Sequence, residues 1–346
     1  MAVPFVDGVL TPAQVLATGR SIAAMQEPSG ALPWFPGGKT DPWDHVESAM
    51  ALSACGLRAE AEAAYEWSRR TQRPDGSWPM ELSGGTVVDH GVDSNFCAYL
   101  AVGVWHHFLV YDDAGFLRRM WPTVRAGIAR TLRFDRGDGA LRWAADYRTG
   151  EMFERVLITG NASIYTALDR AIAIGEVLDE PTAEWESARR ALGEVFDRWT
   201  LDRRVLDPAS NHSMDWYYPV LGGPVRGDTG RALIDERWSD FVVDGLGARC
   251  VDDHPWVTGA ETCELAMAVE SVGDVDRAAG LVESIQHLRE DDGSYWTGLV
   301  FSDGKRWPVE LSCWTAAAVV LAADAISRAT PGSGIFRDVE GSRVAG

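Results

Sequence analysis

The sequence is poor in basic residues, with 32 Lys and Arg against 51 Asp and Glu, and its net charge is −19. Nucleic acids and anionic membrane surfaces both bind basic patches, so neither is expected as a partner. The longest apolar run, Trp314 to Ala323, is too short to span a bilayer. The amino terminus, MAVPFVDGVLTPAQ, lacks a basic segment before an apolar core, which argues against a secretory signal.

Cysteine is also scarce, and the sequence lacks the motifs of several common chemistries. The five cysteines are residues 55, 97, 250, 263 and 313. They form no CxxC pair, which favours reduced thiols in a cytoplasmic protein. Cys250, Asp252, Asp253 and His254 could be metal ligands, but no second cluster has the spacing of a zinc site. Because a glycine-rich phosphate loop and a GxSxG elbow are missing too, we expect neither a metal nor a cofactor.

Helical periodicity dominates what is present, in two kinds of segment that alternate along the chain. EWESARRALGEVFDRW is amphipathic, and residues 59–70, 114–134 and 274–288 are similar. NFCAYLAVGVW is small and apolar all round, as are residues 163–175, 263–273 and 312–325 and the stretch after Glu47. A helix without a polar face is buried on both sides, so the second kind is predicted to be inner and the first kind outer.

The alternation predicts six inner and six outer helices. The inner helices begin near residues 42, 92, 160, 214, 259 and 308, at intervals of 45 to 68 residues. A linear array would need polar helices at its ends, whereas the last inner helix here is among the most apolar. The sequence therefore predicts an all-α, single-domain (α/α)6 toroid over residues 1–330, followed by a C-terminal tail, 331–346.

A glycine-aromatic segment follows four of the outer helices. The segments are SGALPW (29–34), RPDGSW (73–78), RGDGALRW (136–143) and EDDGSYW (290–296). Each combines a glycine turn with an aromatic residue and precedes an inner helix. We therefore expect their aromatic residues to collect at one rim of the central funnel.

Each predicted inner helix has an acid or amide in its first turn. In chain order these are Asp44, Asp93, Asn161, Asp215, Glu261 and Glu310. Such residues also complement the helix dipole, and that structural explanation suits any single one of them. It suits all six poorly, because the inner helices of a closed ring point these ends at one cavity. Glu47 and Glu264 lie three residues further along the first and fifth inner helices, as additional acids or supporting groups.

Aromatic residues accumulate near the same helix ends, namely Trp34, Trp43, Trp78, Trp143, Trp216, Tyr217, Tyr218, Trp256, Tyr295, Trp296, Trp307 and Trp314. The predicted substrate-binding residues are nine of them, Trp34, Trp43, Trp78, Trp216, Tyr217, Trp256, Tyr295, Trp296 and Trp314, together with His45, His90 and Asn161. Core packing is the alternative for any single aromatic residue. Flat apolar faces with a polar edge suit sugar rings or isoprenoid chains. His45 and His90 have no nucleophile to activate, and with Asn161 they are expected to orient acids or hydroxyls.

Paired carboxylates in an aromatic funnel suit glycoside hydrolysis. Asp44 and Glu261 are the predicted catalytic pair, and Asp93, Asp215 and Glu310 are the next candidates. Widely spaced groups favour inversion, for which the two carboxyl groups lie roughly 6.5–9.5 Å apart. The sequence does not decide which of the two is the acid and which the base.

Two segments resemble a repeat of the squalene cyclase and protein prenyltransferase superfamily, which shares the toroid. RRTQRPDGSW and IQHLREDDGSYW are similar to its Gln-Gly-Trp motifs. The DxDD proton donor of the cyclases is missing. RWPVELSCW has Glu310 and Cys313 of a prenyltransferase-like zinc site but no matching histidine. This resemblance therefore implies architecture, and it leaves an isoprenoid enzyme as one alternative function.

The chain more nearly resembles the six-hairpin glycosidases, whose catalytic acids lie at inner-helix ends as in WDHVE and TGAETCE. Within them, WDHVESAMAL, DWYYPVLGG and PWVTGAETCELA resemble the actinobacterial methylmannose polysaccharide hydrolases. That resemblance implies an endo-acting enzyme for an intracellular α-1,4-linked methylmannose polymer, whose O-methyl groups would suit a tryptophan-rich funnel. A non-catalytic carbohydrate-binding toroid is a further alternative, and the sequence does not indicate an oligomeric state.

Overall fold

The computed structural model describes residues 2–208 and 210–339, and helices account for most of this part of the chain. Its α-helices are α1 (Pro12–Met25), α2 (Pro42–Ala54), α3 (Arg58–Thr71), α4 (Ser94–Tyr111), α5 (Ala114–Leu132), α6 (Ile158–Leu178), α7 (Ala183–Leu201), α8 (Ser213–Leu221), α9 (Gly227–Glu236), α10 (Trp238–Phe241), α11 (Gly259–Ser271), α12 (Val275–Ser284) and α13 (Cys313–Ser327). A short 3-10 helix, Gln286–Leu288, follows α12.

Six of these helices form a closed inner ring, and six others surround it. Going around the ring, α2, α4, α6, α8, α11 and α13 each pack on the next, and α13 packs on α2. The outer helices α3, α5, α7, α9 and α12 each pack on the inner helix that precedes them, while α1 packs on α13. The predicted all-α, single-domain (α/α)6 toroid is confirmed.

The first inner helix shows why this sequence can be buried on both sides. Asp41 caps α2 by accepting hydrogen bonds from the backbone N–H groups of Trp43 and Asp44, and Pro42 occupies the first helical position. The small residues that follow allow the neighbouring helices to approach closely. Apart from Trp43, every residue of α2 is buried.

Strands are short and lie in the loops before the inner helices. They are β1 (Glu81–Ser83), β2 (Thr86–Asp89), β3 (Gly91–Asp93), β4 (Ala144–Asp146), β5 (Val242–Val243), β6 (Gly247–Arg249), β7 (Trp256–Thr258), β8 (Gly298–Val300) and β9 (Lys305–Arg306). The last five form one antiparallel sheet in chain order. Since β3 leads directly into α4 and β7 into α11, these strands mark the N-terminal end of the inner ring.

The glycine-aromatic segments are joints between neighbouring hairpins. Their glycines have positive φ and lie directly on an outer helix: Gly30 on α3, Gly76 on α5, Gly139 on α7 and Gly293 on α1. A Cβ added at Gly76 would lie 2.2 Å from the carbonyl oxygen of Ala126 in α5. The glycine is needed here both for its backbone conformation and for close approach.

Residues 331–339 pack at the opposite end of the ring, against the C-terminal ends of inner helices. The buried Arg170 of α6 donates to the carbonyl oxygens of Ile335 and Asp338, and Arg226 donates to that of Phe336. The first half of the predicted tail is thus packed on the toroid, and its last residues, 340–346, lie outside the described residues. None of the helices that the structure describes is long and apolar enough to cross a membrane.

Candidate active site

Four carboxyl groups on α2 and α11 face the axis of the ring in two layers. Asp44 and Glu261 lie in the first turns of their helices, and Glu47 and Glu264 lie three residues further. Residues three apart share one face of a helix, so each helix contributes an upper and a lower acid. The upper acids are 8% and 5% exposed, whereas both lower acids are fully buried. The upper layer therefore lies at the floor of the funnel and the lower layer beneath it.

Glu47 is held by three donors from three inner helices. Its Oε1 accepts hydrogen bonds from the Trp43 indole at 2.9 Å and the Tyr99 hydroxyl at 2.7 Å. Its Oε2 accepts from the Trp314 indole at 2.7 Å. Burial raises the pKa of Glu47, and these hydrogen bonds counteract the rise.

Glu264 accepts hydrogen bonds from two tyrosines of α8. The Tyr218 hydroxyl donates at 2.8 Å, and the Tyr217 hydroxyl donates to the other carboxyl oxygen. The Tyr218 ring packs edge-on against the Trp43 ring, whose indole donates to Glu47, so the two lower acids approach each other. Burial, followed by the charge of Glu47, raises the pKa of Glu264 well above its ordinary value.

Asp44 has the most perturbed surroundings of the upper layer. Burial raises its pKa well above the ordinary value, and the charges of Asp41, Glu47, Glu264 and Glu261 raise it further. Its Oδ2 is buried and has no hydrogen-bond partner among the described residues. Asp44 therefore holds its proton at a pH at which an ordinary aspartate is ionised, since no donor stabilises a negative charge on Oδ2.

Glu261 faces Asp44 from α11, and a cysteine lies beside it. The Cys250 thiol, from the loop between β6 and β7, lies close enough to the Glu261 carboxylate to be affected by its charge. Burial, and then this carboxylate, raises the pKa of the thiol, so Cys250 stays neutral beside Glu261. The two upper acids come from helices that are not neighbours in the ring, because α13 lies between α2 and α11.

Asp93 proves to be equivalent to Asp41 and not to Asp44. Both Asp41 and Asp93 are N-caps, of α2 and α4 respectively, and each accepts a hydrogen bond from an indole of the repeat, Trp34 or Trp143. Burial raises the pKa of Asp93 to about 6. The prediction that Asp93 and Asp44 occupy equivalent positions was wrong, because Asp93 is the N-cap of its helix whereas Asp44 lies three residues after the N-cap of α2.

Asp215 and Glu310 are used in contacts between chain segments. Asp215 accepts hydrogen bonds at 2.7 Å from the hydroxyls of Thr159 and Ser210, which ties α8 to the start of α6. Glu310 was predicted in a first helical turn, but α13 begins only at Cys313, after the N-cap Ser312. In the loop before α13, Glu310 accepts from the Thr297 hydroxyl at 3.1 Å.

His45 and Asn161 were predicted to bind the substrate, but their polar side-chain atoms are already bonded to backbone groups. The Nδ1 of His45 accepts from the backbone N–H of Leu32, so Nε2 carries the proton and donates to the carbonyl of Ala64. Burial lowers the pKa of this imidazole to about 4. The Asn161 amide bonds to both backbone groups of Leu141. These two residues position backbone, and we correct their assignment.

Three aromatic residues assigned to the substrate also belong to the core. Trp78 donates to the carbonyl of Ser68, Trp216 stacks on Phe241, and Tyr295 donates to the Gln286 side chain. All three are buried, and their polar atoms are bonded within the protein. These rings pack neighbouring segments of the toroid together and leave no face for a sugar. Tyr217, also predicted to bind the substrate, is fully buried and donates to Glu264, so its assignment is corrected too.

The other predicted binding residues keep some accessible surface. Trp43 and Trp314 are half-buried beside the acids. Trp256 donates to the backbone of Trp307, and Trp296 donates to Glu290. His90 is exposed between β2 and β3. Their role with a substrate stays a prediction.

The sequence did not single out Tyr99 and Cys250 as partners of the acids. Tyr99 is one of the few polar-edged residues in an otherwise apolar inner helix, and that contrast was the available signal. Cys250 had been weighed only as a metal ligand. Among the described residues, no group of three or more His, Cys, Asp and Glu side chains could hold a metal ion.

Comparison with known proteins gives one informative match in sequence and several in fold. No protein-family model matches the chain. The MMP endo-(1,4)-3-O-methyl-alpha-D-mannosidase of Mycolicibacterium hassiacum is 54% identical over an alignment 349 residues long, which covers 98% of this chain and 93% of that protein. A solved wild-type glycosidase superposes with a TM-score of 0.70 at 16% identity, over 94% of this chain and 98% of that one.

Two further solved structures share the fold at low identity. The GH63 mannosylglycerate hydrolase of Thermus thermophilus has a TM-score of 0.68 at 15% identity, over 88% of this chain and 99% of that one. A D-mannose isomerase has a TM-score of 0.67 at 11% identity, over 91% and 96% of the two chains. The fold alone therefore does not fix the reaction. The relative that is 54% identical along nearly the whole chain does show the family: this protein is a glycoside hydrolase and belongs to the family of the MMP endo-(1,4)-3-O-methyl-alpha-D-mannosidases.

Proposed function

We propose that this enzyme cleaves internal α-1,4 bonds of a 3-O-methylmannose polysaccharide with inversion, using Asp44 as the general acid and Glu261 as the general base. Asp44 would protonate the glycosidic oxygen as the bond to the anomeric carbon breaks. Glu261 would take a proton from the water that attacks this carbon from the opposite face. Both carboxyl groups then exchange protons with solvent and return to their starting states.

The surroundings of Asp44 carry this assignment. A general acid must hold a proton near neutral pH, and burial together with four neighbouring acids raises the pKa of Asp44 in that direction. No hydrogen-bond donor among the described residues stabilises a negative charge on its Oδ2, which also favours the protonated form. The base role falls to Glu261 because it is the other upper-layer acid and its neighbour Cys250 stays a neutral thiol.

The positions of the two helices support inversion. A retaining enzyme needs its carboxyl groups about 5–5.5 Å apart, whereas an inverting enzyme leaves room for a water molecule between them. Asp44 and Glu261 project from helices separated by α13, which favours the wider arrangement. Half-buried indoles at Trp43 and Trp314 supply apolar surface for sugar rings and O-methyl groups beside this pair. The five free cysteines fit an enzyme that works in the cytoplasm.

Hydrolysis of an α-1,4-linked 3-O-methylmannan oligosaccharide tests the proposal. We expect the wild type to release shorter oligomers whose new reducing ends are initially β when followed by NMR. D44N and E261Q should each lose about 10²–10⁴-fold in kcat, because each removes one proton-transfer group. E310Q is the matched control and should keep the wild-type rate, since Glu310 lies in the loop before α13 and bonds to Thr297.

The same assay separates the alternatives. Initial release of the α anomer would contradict inversion. Full activity of both D44N and E261Q would contradict the site. A protein that binds the oligosaccharide but releases no reducing ends would be the carbohydrate-binding toroid. The isoprenoid alternative has little support, because a diphosphate would meet Asp44 and Glu261 at the funnel floor, with three further acids, Asp41, Glu47 and Glu264, buried next to them.

A further inference from the structure

The lower layer of acids has no direct part in the reaction proposed above, although it is fully buried. Glu47 and Glu264 come from α2 and α11, the two helices that carry Asp44 and Glu261. Trp43, whose indole donates to Glu47, packs edge-on against Tyr218, whose hydroxyl donates to Glu264, so the two carboxyl groups approach each other across one pair of rings. Two carboxylates brought together in a buried site repel each other, and the repulsion is relieved when one of them keeps its proton.

The donors around the pair limit it to one such proton. Glu47 accepts from two indoles and one phenol, and Glu264 accepts from two phenols. An indole N–H can only donate, so the oxygens of Glu47 that face Trp43 and Trp314 must stay acceptors. Five donors on two carboxyl groups favour a retained negative charge, while burial and mutual repulsion oppose two charges.

We propose that Glu47 and Glu264 share one proton, and that the single negative charge left on this pair holds Asp44 in its protonated form. The inference rests on the proposed role of Asp44 as the general acid. Glu47 lies one turn below Asp44 on the same face of α2, and Glu264 approaches from the other side of the ring. Both are thus positioning residues, since they act on Asp44 from below and leave its Oδ2 free.

Other ionisable groups also face Glu47 and Glu264, and their charges must be considered before an effect on Asp44 is assigned to this pair. They are Asp41 and Asp44 on α2, Tyr99 on α4, Tyr217 and Tyr218 on α8, Cys250 before α11, Glu261 and Cys263 on α11 and Cys313 on α13. The tyrosines and cysteines are kept neutral by burial, which raises the pKa of each. The charges that act on Asp44 therefore come from Asp41, Glu261 and the pair.

Charge-removing variants test the pair through the pH profile of kcat/KM. E264Q leaves Glu47 ionised among its three donors, so the charge beside Asp44 is unchanged and the basic limb should move by less than about 0.5 pH unit. E264Q is the milder single variant, because Tyr217 and Tyr218 can accept from the new amide. The double variant E47Q/E264Q removes the charge, so Asp44 should lose its proton earlier and the basic limb should fall by about one pH unit or more.

Two results would overturn the proposal in this assay. A full-unit shift in E264Q alone would mean that both carboxyl groups are ionised in the wild type. A double variant with the wild-type basic limb would mean that the pair does not act on Asp44. Loss of packing alone would lower kcat without moving the limb, and so it would count as the second result.

Infrared spectroscopy tests the shared proton without any substrate, and it covers the case in which the double variant does not fold. In the D44N background, which lacks the Asp44 carboxyl group, we expect the spectrum of D44N minus that of D44N/E264Q at pH 7 to contain a protonated-carboxyl C=O band, because other buried acids contribute equally to both. A difference spectrum without this band would contradict sharing. If the wild type failed to cleave the methylmannan while this band behaved as expected, the proposed function would fail and the proton-sharing pair would stand.

Discussion

Asp41 and Asp44 are both acids at the start of α2, but their carboxyl groups do different work. Asp41 caps the helix and accepts the Trp34 indole, as Asp93 does with Trp143 on α4. Asp44 lies one turn further, where the cap has already satisfied the backbone N–H groups, and its Oδ2 bonds to nothing within the described residues. The motif DPWD thus supplies one acid for the helix end and a second acid for chemistry.

The unpartnered carboxyl group of Asp44 should lower the free energy of unfolding, and removing that group should raise it. The folded-state pKa of Asp44 is raised above its unfolded value of 3.8, mainly by burial. Its contribution to stability is therefore present below that value and is lost as the pH rises toward the folded-state pKa. We expect D44N to be more stable than the wild type, by a margin that is larger at pH 7.5 than at pH 5 in urea unfolding.

D113N is the matched control, because Asp113 caps α5 and accepts a hydrogen bond from the backbone N–H of Phe116. That hydrogen bond lowers the pKa of Asp113, so its contribution to stability is present at both pH values and D113N should lower the free energy of unfolding similarly at pH 5 and pH 7.5. A D44N margin that shrinks with rising pH would contradict the assignment of Asp44 as a buried proton holder.

The four axial acids were predictable from the sequence, but two of the residues next to them, Tyr99 and Cys250, were not. Asp44 with Glu47, and Glu261 with Glu264, stand out because charge is rare in helices that are apolar all round. Tyr99 and Cys250 reach these acids only through the rotation of α4 and the path of the loop before α11. His45 and Trp78 have the same local signals as true site residues, yet their side chains turn away from the axis. An inner helix has no polar face, so its sequence does not show which side faces the funnel.

At the scale of elements, the glycine-aromatic segments hold hairpins together more than they line the funnel. Their glycines contact the next outer helix, and only Trp34 and Trp143 of the four tryptophans reach an N-cap acid. Gln26 and Gln72 repeat one contact, in which the side-chain amide bonds the glycine carbonyl and the neighbouring outer helix. The repeat itself was visible in the sequence. Whether its residues point at the funnel or at a neighbouring hairpin depends on where the outer helices pack.

G76A should be much more destabilising than an alanine at a glycine with similar backbone geometry. Gly76 has φ of +89° and its added Cβ would lie 2.2 Å from the Ala126 oxygen, so α5 would have to move. Gly137 has φ of +100° and nothing within 4 Å, so G137A should cost only the backbone strain, about 1–2 kcal/mol. We expect G76A to exceed G137A by about 1–3 kcal/mol in denaturant unfolding. Equal losses would mean that this joint does not hold α5 in place.

On the scale of the whole molecule, the two ends of the closed ring differ, because one carries the acids and residues 331–339 cover the other. The contact between α13 and α2 brings Trp314 to Glu47, so the site is complete only when the last inner helix meets the first. The sequence indicated closure through the apolar character of α13. It did not indicate that residues 331–339 would cover the end opposite the site, because this segment is rich in turns and has no periodicity.

This covering segment should stabilise the protein without contributing to the site. Ile335, Phe336 and Val339 are each at most 5% exposed, and Arg337 pairs with the buried Glu270 at 2.7 Å. F336A should therefore lower the free energy of unfolding by about 3–5 kcal/mol, because it leaves a cavity under the segment. V309A, at a side chain that is 84% exposed, is the control and should change it by less than about 0.5 kcal/mol.

The segment and the acids lie at opposite ends of the inner helices, so stability and substrate affinity should separate. F336A should keep the wild-type KM for the methylmannan at a temperature at which it is fully folded, and it should inactivate at a lower temperature. Both properties can be measured on one preparation, by steady-state kinetics and by thermal unfolding. A raised KM in folded F336A would show that this end of the ring is coupled to the funnel floor through α11, whose Glu270 and Glu261 lie about two and a half turns apart.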